Sequence, residues 1–457
     1  MNHLLNLKKE VNSLFLFTFC IIYSKILLDS MVIYMLIKEI SIDEFNKFTQ
    51  FFSISSIYQT SEYGIIMNNE GFSPIYIGYF DNNDNILAAA LLLTEERKGL
   101  KYAYSPNGFL IDYNNYDLLN NFTFELKNFL KKKKIVAVRL NPMIVRNSID
   151  YKNNIMTTNI FFEETLKHLK ELRYKHYGFT NFYETIKPRY NAIINLNDNI
   201  HIILNNMNIN TRIKIEEADK QGIQIIKGNL DTLDYLFDQV KDKYSRDKKY
   251  YENILNIFSV RDMVDYYYAK LDTNKYLVYV QKKISEQAKL CSKINDEIFR
   301  NRGNNNAELI DKKIFEENRL NDFKNELVYA TALLKNRPDG VILSTMLLGK
   351  YKDEVTVLAN GINKEFPQFN SKYLMIWKFI EKYSKEKYKT FNLGGITNPI
   401  LRDQRYFEDN EFKLNFNSKC IEYLGDLELV TNNALYTIYK NTKSIKNLLG
   451  KNDKAKI

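Results

Sequence analysis

Cysteine, histidine and glycine are scarce in this chain, and each shortage excludes a kind of site. The three cysteines, Cys20, Cys291 and Cys420, lie far apart and form no CxxC pair, so the sequence predicts neither a zinc site nor a disulfide framework. A reducing compartment fits this usage best. The 16 glycines include no P-loop or dinucleotide-binding pattern, and none of the four histidines stands in a His-x-Gly-His context. We therefore expect no metal and no cofactor, and we disfavour an aminoacyl-tRNA synthetase.

Length and charge bound the fold and the partners. At 457 residues and 54.1 kDa the chain is long enough for two or three domains, and its 45% hydrophobic content is ordinary for a globular protein. The net charge of +10 fits an anionic partner such as a nucleic acid, a phosphosugar or an anionic membrane face.

The first 34 residues match neither a membrane span nor a signal peptide. The stretch 13–34 is apolar, but Lys25 and Asp29 interrupt it. No small-residue cleavage site follows the basic Lys8 and Lys9. We interpret residues 1–34 as a mis-assigned start, with Met35 as the natural one, or as a loosely membrane-associating segment.

From residue 35 onward, strand patterns and helix patterns alternate in two rounds. The first round reads β-α-β-β-β-α-β, with a capping box at Ser41 and Glu44 and a hairpin signature at 81–85. A similar order returns after Pro188 and ends in one long strand, 421–430. This alternation predicts an α/β fold of two related domains with mixed sheets. The predicted ranges are 35–190 for the first domain, 191–276 with 336–435 for the second, and 436–457 for a basic tail.

Residues 277–335 interrupt the second round with two helices whose apolar residues recur at heptad spacing. We predict an antiparallel coiled-coil arm that is polar at Gln287 and ragged at 310–317. Such an arm holds a large ligand or partner more often than it performs chemistry, and an inert spacer or a dimer contact is the alternative.

Short motifs along the chain, taken together, resemble those of one family. Near the C-terminus, Phe-Lys-Leu-Asn-Phe at 412–416 precedes Glu-Tyr-Leu-Gly-Asp at 422–426. The other motifs are Gln-Thr-Ser-Glu-Tyr-Gly at 59–64, Tyr-Ala-Tyr-Ser-Pro-Asn-Gly at 102–108, Lys-Pro-Arg at 187–189, Thr-Arg-x-x-Ile-x-x-Ala at 211–218 and Asn-Leu-Gly-Gly-Ile at 392–396. In this order they resemble the Fem family, the aminoacyl-tRNA-dependent transferases that build peptide bridges on peptidoglycan precursors.

The resemblance implies a fold, a reaction and two partners. The family fold is a pair of GNAT-like acyltransferase domains, often with a coiled-coil arm. The implied reaction moves an amino acid of the glycine, alanine or serine class from aminoacyl-tRNA to the stem-peptide amine of a lipid-linked or nucleotide-linked muramyl precursor. It implies a cytoplasmic enzyme, with peripheral contact at the inner membrane face as an additional expectation. Because the ester is already activated, the reaction requires alignment and an oxyanion donor rather than a catalytic triad.

Four positions depart from the family pattern. Met67 stands where the family has a phosphate-binding lysine, and Glu216 replaces the second arginine of the helix motif. Asn141 and Asn392 stand where the family has aspartate. These departures put the muropeptide contacts, and activity itself, in question.

Lys413 and Glu422 are the predicted catalytic residues. Lys413 would stabilise the oxyanion or contact the RNA 3′ end, with its stem held by the two flanking phenylalanines; a lysine at a strand edge with a solvated head is the alternative. On the predicted last strand Glu422, Asp426 and Glu428 share one face, where a carboxylate could accept the proton of the attacking amine. A solvent-facing polar side is the alternative.

The remaining predicted site residues bind substrate. Arg212 is expected to contact a precursor phosphate, with an ion pair to Glu216 as the alternative. Gly394 and Gly395 are expected to form a tight turn that lets the backbone approach a ligand. The others are Tyr104, Asn107, Phe412 and Phe416.

Two other function classes remain open. A CoA-dependent N-acyltransferase would share the fold, but the nearest match to its pyrophosphate turn, Arg300 to Asn305, fails the last position. A non-catalytic module of the same descent, which binds tRNA or membrane, is supported by the departures at the four positions above.

Overall fold

The computed structural model describes residues 36–441 except 55, 151, 153 and 302–305. The predicted N-terminal extension, the turn between the arm helices and most of the basic tail therefore lie outside the described residues. Within the described part, no helix combines the length and the apolar character that crossing a bilayer requires.

Helices and strands alternate along the chain, as the periodicity predicts. The helices are α1 (Ile42–Phe51), α2 (Ser61–Asn69), α3 (Tyr116–Lys132), α4 (Phe162–Glu171), α5 (Ile200–Asn206), α6 (Ile209–Lys220), α7 (Leu233–Val240), α8 (Lys248–Ser259), α9 (Thr273–Arg300), α10 (Ala307–Asn336), α11 (Ser371–Lys385), α12 (Phe407–Leu414) and α13 (Asn433–Asn441). The strands are β1 (Leu36–Glu39), β2 (Ser73–Phe80), β3 (Ile86–Arg97), β4 (Leu100–Ser105), β5 (Ile135–Leu140), β6 (Val145–Ile149), β7 (Ile155–Thr158), β8 (Tyr174–His176), β9 (Tyr190–Asn195), β10 (Ile223–Lys227), β11 (Val264–Leu271), β12 (Val341–Tyr351), β13 (Glu354–Ile362), β14 (Thr390–Ile396), β15 (Lys419–Tyr423) and β16 (Leu427–Val430).

The strands form two mixed sheets. The seven-stranded sheet has the order β1-β2-β3-β4-β5-β16-β8, and the nine-stranded sheet has the order β10-β11-β12-β13-β14-β9-β15-β6-β7. One pair in each sheet is parallel, β4 with β5 and β13 with β14, and the other pairs are antiparallel. The predicted α/β fold class with mixed sheets is confirmed.

The two halves repeat one order of elements. The series β1-α1-α2-β2-β3-β4-α3-β5 in the first half matches β10-α7-α8-β11-β12-β13-α11-β14 in the second. In each half a helix carries the chain from the last antiparallel strand to its parallel neighbour, as parallel pairing requires. The equivalent helices α2 and α8 pack against each other, and Asn69 Nδ2 donates to Asn253 Oδ1 at 3.2 Å across this contact.

The sheets do not divide at residue 190. Strands β6 and β7 come from the predicted first domain but join the nine-stranded sheet, and β16 comes from the predicted second domain but joins the seven-stranded sheet. The chain thus crosses between the halves several times, and the predicted domain ranges stay predictions.

The predicted arm contains two long helices, α9 and α10, which pack along each other. In chain order they lie between β11 and β12. Val280, Cys291, Ile294 and Ala330 are buried in their contact. Gln287 Nε2 donates to a carboxylate oxygen of Glu316 at 2.6 Å, so the polar position is satisfied within the helix pair. The supercoil itself stays a prediction.

Each face of the nine-stranded sheet packs into a different core. On one face α6 and α11 cover Tyr267, Leu343 and Phe391. On the opposite face α7 and α8 pack with Tyr266 and Leu347, together with α2 of the first half. The alternation of Tyr266 and Tyr267 between the two cores follows from the period of two along a strand.

Candidate active site

A double glycine at the end of β14 holds the predicted catalytic lysine. Lys413 Nζ donates to the Gly395 carbonyl at 2.6 Å, and the Tyr183 hydroxyl donates to the same oxygen at 3.3 Å. Gly394 adopts φ +85°, and a Cβ at Gly395 would lie 2.3 Å from Pro188 Cγ. Both glycines are thus required by local geometry, the first by its left-handed backbone and the second by the close approach of the 187–189 segment. Lys413 lies on α12 and not on a strand edge.

Lys372 and Lys243 lie near Lys413, and among the described residues none of these three lysines has a carboxylate close enough for an ion pair. Burial and the Lys243 ammonium lower the pKa of Lys372 to about 7. Burial likewise lowers the pKa of Lys413 to about 8, and Asp409 opposes both shifts. Partly accessible cations that the protein desolvates but does not neutralise make the end of β14 a place where an anion, or a developing oxyanion, is stabilised.

Next to this centre, cations and tyrosines of both halves contact each other, and we call this cluster of Lys187, Tyr58, Tyr63, Arg246 and Tyr250 the groove. Lys187 Nζ lies 3.3 Å from the centre of the Tyr58 ring, and the Arg246 guanidinium lies 4.5 Å from that of Tyr250. Tyr58 packs edge-on against Tyr63 at 5.1 Å. Burial and the neighbouring Arg246 lower the pKa of Lys187 to about 7. The groove therefore has an aromatic wall with two cations on it, and Arg246 alone meets a carboxylate, Glu70 at 3.3 Å.

The carboxyl group of Glu354 lies at the start of β13, on the same side of the sheet as Tyr58. Burial raises the pKa of Glu354 to about 7, and a hydrogen bond from Asn392 opposes the shift. Asn392 Oδ1 accepts from the Gly394 backbone N–H at 2.9 Å. An amide can donate to Glu354 and accept from Gly394 at once, whereas an aspartate would place two carboxylates together. The departure at this position therefore has a local physical reason.

Tyr104 and Asn107 form a closed network in the first half. Asn141 Oδ1 accepts from the Tyr104 hydroxyl at 2.8 Å and from the Asn107 N–H at 3.1 Å, while its Nδ2 donates to Asn107 Oδ1 at 2.9 Å. An aspartate at 141 could not make the third bond. The predicted ligand contacts of Tyr104 and Asn107 stay predictions, and their present partners hold the loop that follows β4.

The predicted last strand, 421–430, is wrong as one continuous element. It divides into β15 and β16, which belong to different sheets, because the chain turns at Gly425 with φ +95°. Its three carboxylates are buried instead of facing solvent. We call Glu422, Asp426 and Glu428 the crossing cluster, since they lie where the chain passes between the halves.

Every member of the crossing cluster has partners. Glu422 contacts the Arg189 guanidinium and accepts from Asn147 Nδ2 at 2.5 Å and Arg146 Nη1 at 3.3 Å. Asp426 accepts from Arg139 Nε at 3.0 Å, and Glu428 accepts from the hydroxyls of Tyr102, Tyr177 and Tyr436 at 2.6, 2.9 and 2.6 Å. Such contacts are those of a structural joint, and a catalytic role for Glu422 stays an untested prediction.

Arg212 lies away from the groove. It belongs to α6, which packs on the α11 face of the sheet, whereas Arg246 adjoins α8 on the opposite face. The alternative ion pair with Glu216 is wrong, because Glu216 Oε1 lies 2.6 Å from Lys220 Nζ. Arg212 Nε is buried and has no hydrogen-bond partner in the described part of the chain. Its predicted phosphate contact stays a prediction.

The two phenylalanines that flank Lys413 differ in position. Phe416 is fully buried, so it supports the site from the core and has no surface for a ligand. Phe412 is half-buried, and the ammonium that lies over its ring at 4.9 Å is that of Lys372 and not that of Lys413. The predicted support of the Lys413 stem by both rings stays a prediction.

Several residues of the Gly395 centre and its surroundings have no distinct sequence signal. Lys187 stands in a recognised motif, but Arg246, Lys372, Tyr183 and Glu354 stand in ordinary helix, loop and strand patterns. Arg246, which precedes the cap of α8, and Tyr250, in its first turn, are four residues apart, and this short spacing is the one local hint. The rest converge only through tertiary contacts.

Comparison with known proteins identifies the family. The model of the FemAB family matches residues 40–444. The aminoacyltransferase FemA of Staphylococcus epidermidis is 26% identical over 413 residues, covering 88% of this chain and 98% of that protein. FemA of Staphylococcus aureus strain MRSA252 is 23% identical over 414 residues, covering 88% and 97%. The crystal structure of FemX superposes with a TM-score of 0.67 at 20% identity, covering 88% and 99%. The aminoacyltransferase class expected from the motifs is thereby confirmed, and the chain belongs to the FemAB family.

Proposed function

We propose that this enzyme transfers an amino acid from aminoacyl-tRNA to the stem-peptide amine of a peptidoglycan precursor and so builds the interpeptide bridge. The observation that carries the proposal is the Lys413 ammonium, which burial desolvates and which the Gly395 carbonyl holds at 2.6 Å. FemAB membership over residues 40–444 and the matched FemA aminoacyltransferases support it. The tRNA donor places the reaction on the cytoplasmic side of the membrane.

The chemistry asks little of the protein beyond placement and charge. The amine nitrogen forms a bond to the ester carbonyl carbon, and the negative charge passes to the carbonyl oxygen. The C–O bond to the ribose then breaks, and the proton lost by nitrogen replaces it on the ribose oxygen. An ammonium fixed near the carbonyl oxygen stabilises this intermediate most when the surroundings exclude water. Burial lowers the pKa of Lys413, as such surroundings do, and Gly394 has no side chain to fill the space beside the backbone.

The acceptor fits the groove between the halves. A muramyl precursor carries phosphates in both its lipid-linked and nucleotide-linked forms, and Lys187 and Arg246 offer two cations on an aromatic wall. Lys187 would supply the positive charge that the buried Met67 does not, so the departure at Met67 is compatible with activity. We place the phosphates at Lys187 and Arg246, with the stem peptide running past Tyr183 toward Gly395.

Mass spectrometry tests the proposal. The protein is incubated with glycyl-, alanyl- or seryl-tRNA and either a lipid-linked or a UDP-linked muramyl pentapeptide, and the precursor is expected to gain one residue mass from one of the charged tRNAs. Uncharged tRNA and acetyl-CoA are the matched controls. A gain of an acetyl mass instead would favour the CoA-dependent alternative. No gain from any charged tRNA would favour the non-catalytic module.

A further inference from the structure

A carboxyl group that forms no ion pair among the described residues lies between the groove and the Gly395 centre. Glu354 begins β13, and the next residue, Val355, packs into the core that α11 covers. Successive side chains of a strand point to opposite faces, so Glu354 faces the other way, toward the first half. Leu358, on the same face as Glu354, packs against the core that also contains Tyr58 of the groove. Glu354 therefore stands on the sheet face where the two halves meet.

Two hydrogen bonds join this carboxyl group to the Gly395 centre. Asn392 donates to Glu354, and its Oδ1 accepts from the Gly394 N–H at 2.9 Å. Asn392 lies on the same sheet face as Glu354, because its two neighbours along β14 are both buried in the opposite core. The amide thus holds the carboxyl group on the face that leads to the double glycine.

Tyrosines and lysines are the titratable neighbours of Glu354. They are Tyr58 from the turn that precedes α2, Tyr423 at the end of β15, Lys352 in the turn before β13, and Lys187, which lies over the Tyr58 ring. Burial raises the pKa of both tyrosine hydroxyls, and the Glu354 carboxylate adds to each shift. Burial also raises the pKa of Glu354 to about 7. Near neutral pH this group can therefore both take up and return a proton.

The proposed reaction requires a proton acceptor besides the ribose. A side-chain amine has an ordinary pKa of about 10.4, so it reaches the enzyme as an ammonium group. The ammonium has three N–H bonds and the amide nitrogen of the product has one, so two protons must leave. The ribose oxygen takes one of them when the C–O bond breaks. The other must leave before the attack, because an ammonium nitrogen has no free electron pair with which to form the new bond.

We infer that Glu354 is the general base that binds the acceptor ammonium and takes its first proton, which leaves a neutral amine beside the Gly395 centre. This inference rests on the proposed function, because it takes the acceptor to be a stem-peptide amine. The N–H bond breaks toward a carboxylate oxygen, and its electron pair stays on nitrogen and attacks the ester carbon. Water takes the proton from Glu354 afterwards. Lys413 then acts on the oxyanion and Glu354 on the amine, so each charge serves one of the two reacting groups.

The pH profile of transfer tests the inference. Initial rates are measured from pH 6 to 9 with saturating precursor and the charged tRNA that serves wild type. Wild-type kcat is expected to rise to about pH 7 and then to level off. Glu354→Gln keeps the size of the side chain but cannot take a proton, so kcat at pH 7 is expected to fall by about 10²–10⁴-fold. Its rate should then rise about tenfold per pH unit, because only the unprotonated fraction of the amine still reacts.

Matched variants and a changed substrate distinguish a base from a structural carboxylate. Asp353→Asn removes the carboxylate next to Glu354 in sequence, which pairs with Lys389, and is expected to keep the wild-type profile. Glu354→Asp keeps a carboxylate on a shorter stem, so kcat should fall while the levelling near pH 7 remains. A precursor whose stem amine has a lower pKa, such as one with thialysine in place of lysine, should restore more activity to Glu354→Gln than to wild type.

Thermal melts report the state of the carboxyl group without any transfer. The pKa of Glu354 is about 7 in the folded protein and 4.5 in its ordinary state, so the folded protein binds more protons between these values. Wild type therefore loses stability as the pH rises from 4.5 to 7. Glu354→Gln lacks this loss, and its melting temperature relative to that of wild type should rise over the same range. The same melts show that the variant is folded.

Four outcomes would overturn the inference. A Glu354→Gln profile parallel to that of wild type would show a structural carboxylate, as would an equal loss in Asp353→Asn. Loss of the levelling in Lys187→Gln, in place of Glu354→Gln, would assign the base to Lys187. Absence of transfer by wild type from any charged tRNA would overturn the proposed function and the inference with it. Normal transfer by wild type with an unaltered variant profile would overturn the inference alone.

Discussion

Two charged regions of this protein, the crossing cluster and the lysines around Gly395, differ in how their charges are paired. The crossing cluster contains three buried carboxylates, and each has an arginine or tyrosine hydroxyl partner. The lysines around Gly395 are partly accessible, their pKa values are lowered, and no carboxylate is close enough for an ion pair within the described residues. Buried carboxylates that arginine and tyrosine side chains hold serve to specify the fold, whereas desolvated charge without an ion-pair partner is available to a substrate. The comparison thus separates the structural motif from the reactive one.

The largest expected effect is on stability, at the crossing cluster. Glu422→Ala leaves Arg189 buried beside an empty position, and removal of one partner of a buried ion pair costs about 3–5 kcal/mol. Denaturant unfolding measures the loss. Glu216→Ala, in an exposed pair with Lys220, is the control and is expected to change the unfolding free energy by less than about 0.5 kcal/mol. A stable Glu422→Ala protein without transferase activity would instead assign Glu422 to catalysis.

The next effect is on turnover, at the lysine centre. Lys413→Ala removes an oxyanion donor, so kcat is expected to fall by about 10²–10³-fold, while the melting temperature stays near that of wild type. Lys419→Ala, an exposed lysine on β15, is the control. Wild-type turnover in a folded Lys413→Ala protein would contradict the role assigned to Lys413.

A smaller effect is expected in the groove. Lys187→Gln keeps a polar side chain but removes the charge, so the KM for the muramyl precursor is expected to rise about tenfold, which corresponds to about 1.4 kcal/mol. The KM for the aminoacyl-tRNA and the kcat should change little. Lys175→Gln removes a lysine over the Tyr177 ring outside the groove and should leave all three values unchanged. An equal rise in both KM values would argue against a separate acceptor site.

A further effect is expected on the pH dependence of stability. The pKa of Lys372 is about 7 in the folded protein and 10.5 in its ordinary state, so the unfolded chain binds more protons between these values. Lys372→Met is therefore expected to stabilise the protein most at and below pH 7, and the gain should shrink as the pH rises toward 10.5. Lys378→Met is the control of opposite sign, because ion pairs raise the pKa of Lys378 and its loss should destabilise the protein. Thermal melts from pH 6.5 to 9.5 measure both.

Local sequence signals predicted elements well where the determining contacts are local. The capping box holds, with the Ser41 hydroxyl accepting from the Glu44 N–H at 3.2 Å and Glu44 accepting from the Ser41 N–H at 2.8 Å. The hairpin at 81–85 also holds, because Asp81 accepts from the N–H groups of Asn83 and Asn85. Both depend on residues within five positions of each other, so the local sequence alone specifies them.

Prediction failed where distant parts of the chain decide the outcome. The apolar alternation at 421–430 is typical of one strand, but the segment serves two sheets, and only the partners β6, β9, β5 and β8 determine where it divides. The helical pattern over 200–221 is divided between two helices, α5 and α6, because Asn208 caps the second and its N–H donates to the Asn415 carbonyl. In both cases a pairing across more than 200 residues overrides the local periodicity.

The sequence by itself determined the alternation of helices and strands, the two related halves, the inserted helix pair and the motifs that identify the family, since all of these follow from neighbour spacing along the chain. Tertiary structure decided which charges are paired. Glu422 and Lys413 stand nine positions apart and both belong to the same signature, yet the fold places Arg189 against the carboxylate and a backbone carbonyl against the ammonium. Desolvation and pairing depend on atoms that arrive from the whole chain, so the division between structural and reactive charge appears only once the halves have packed together.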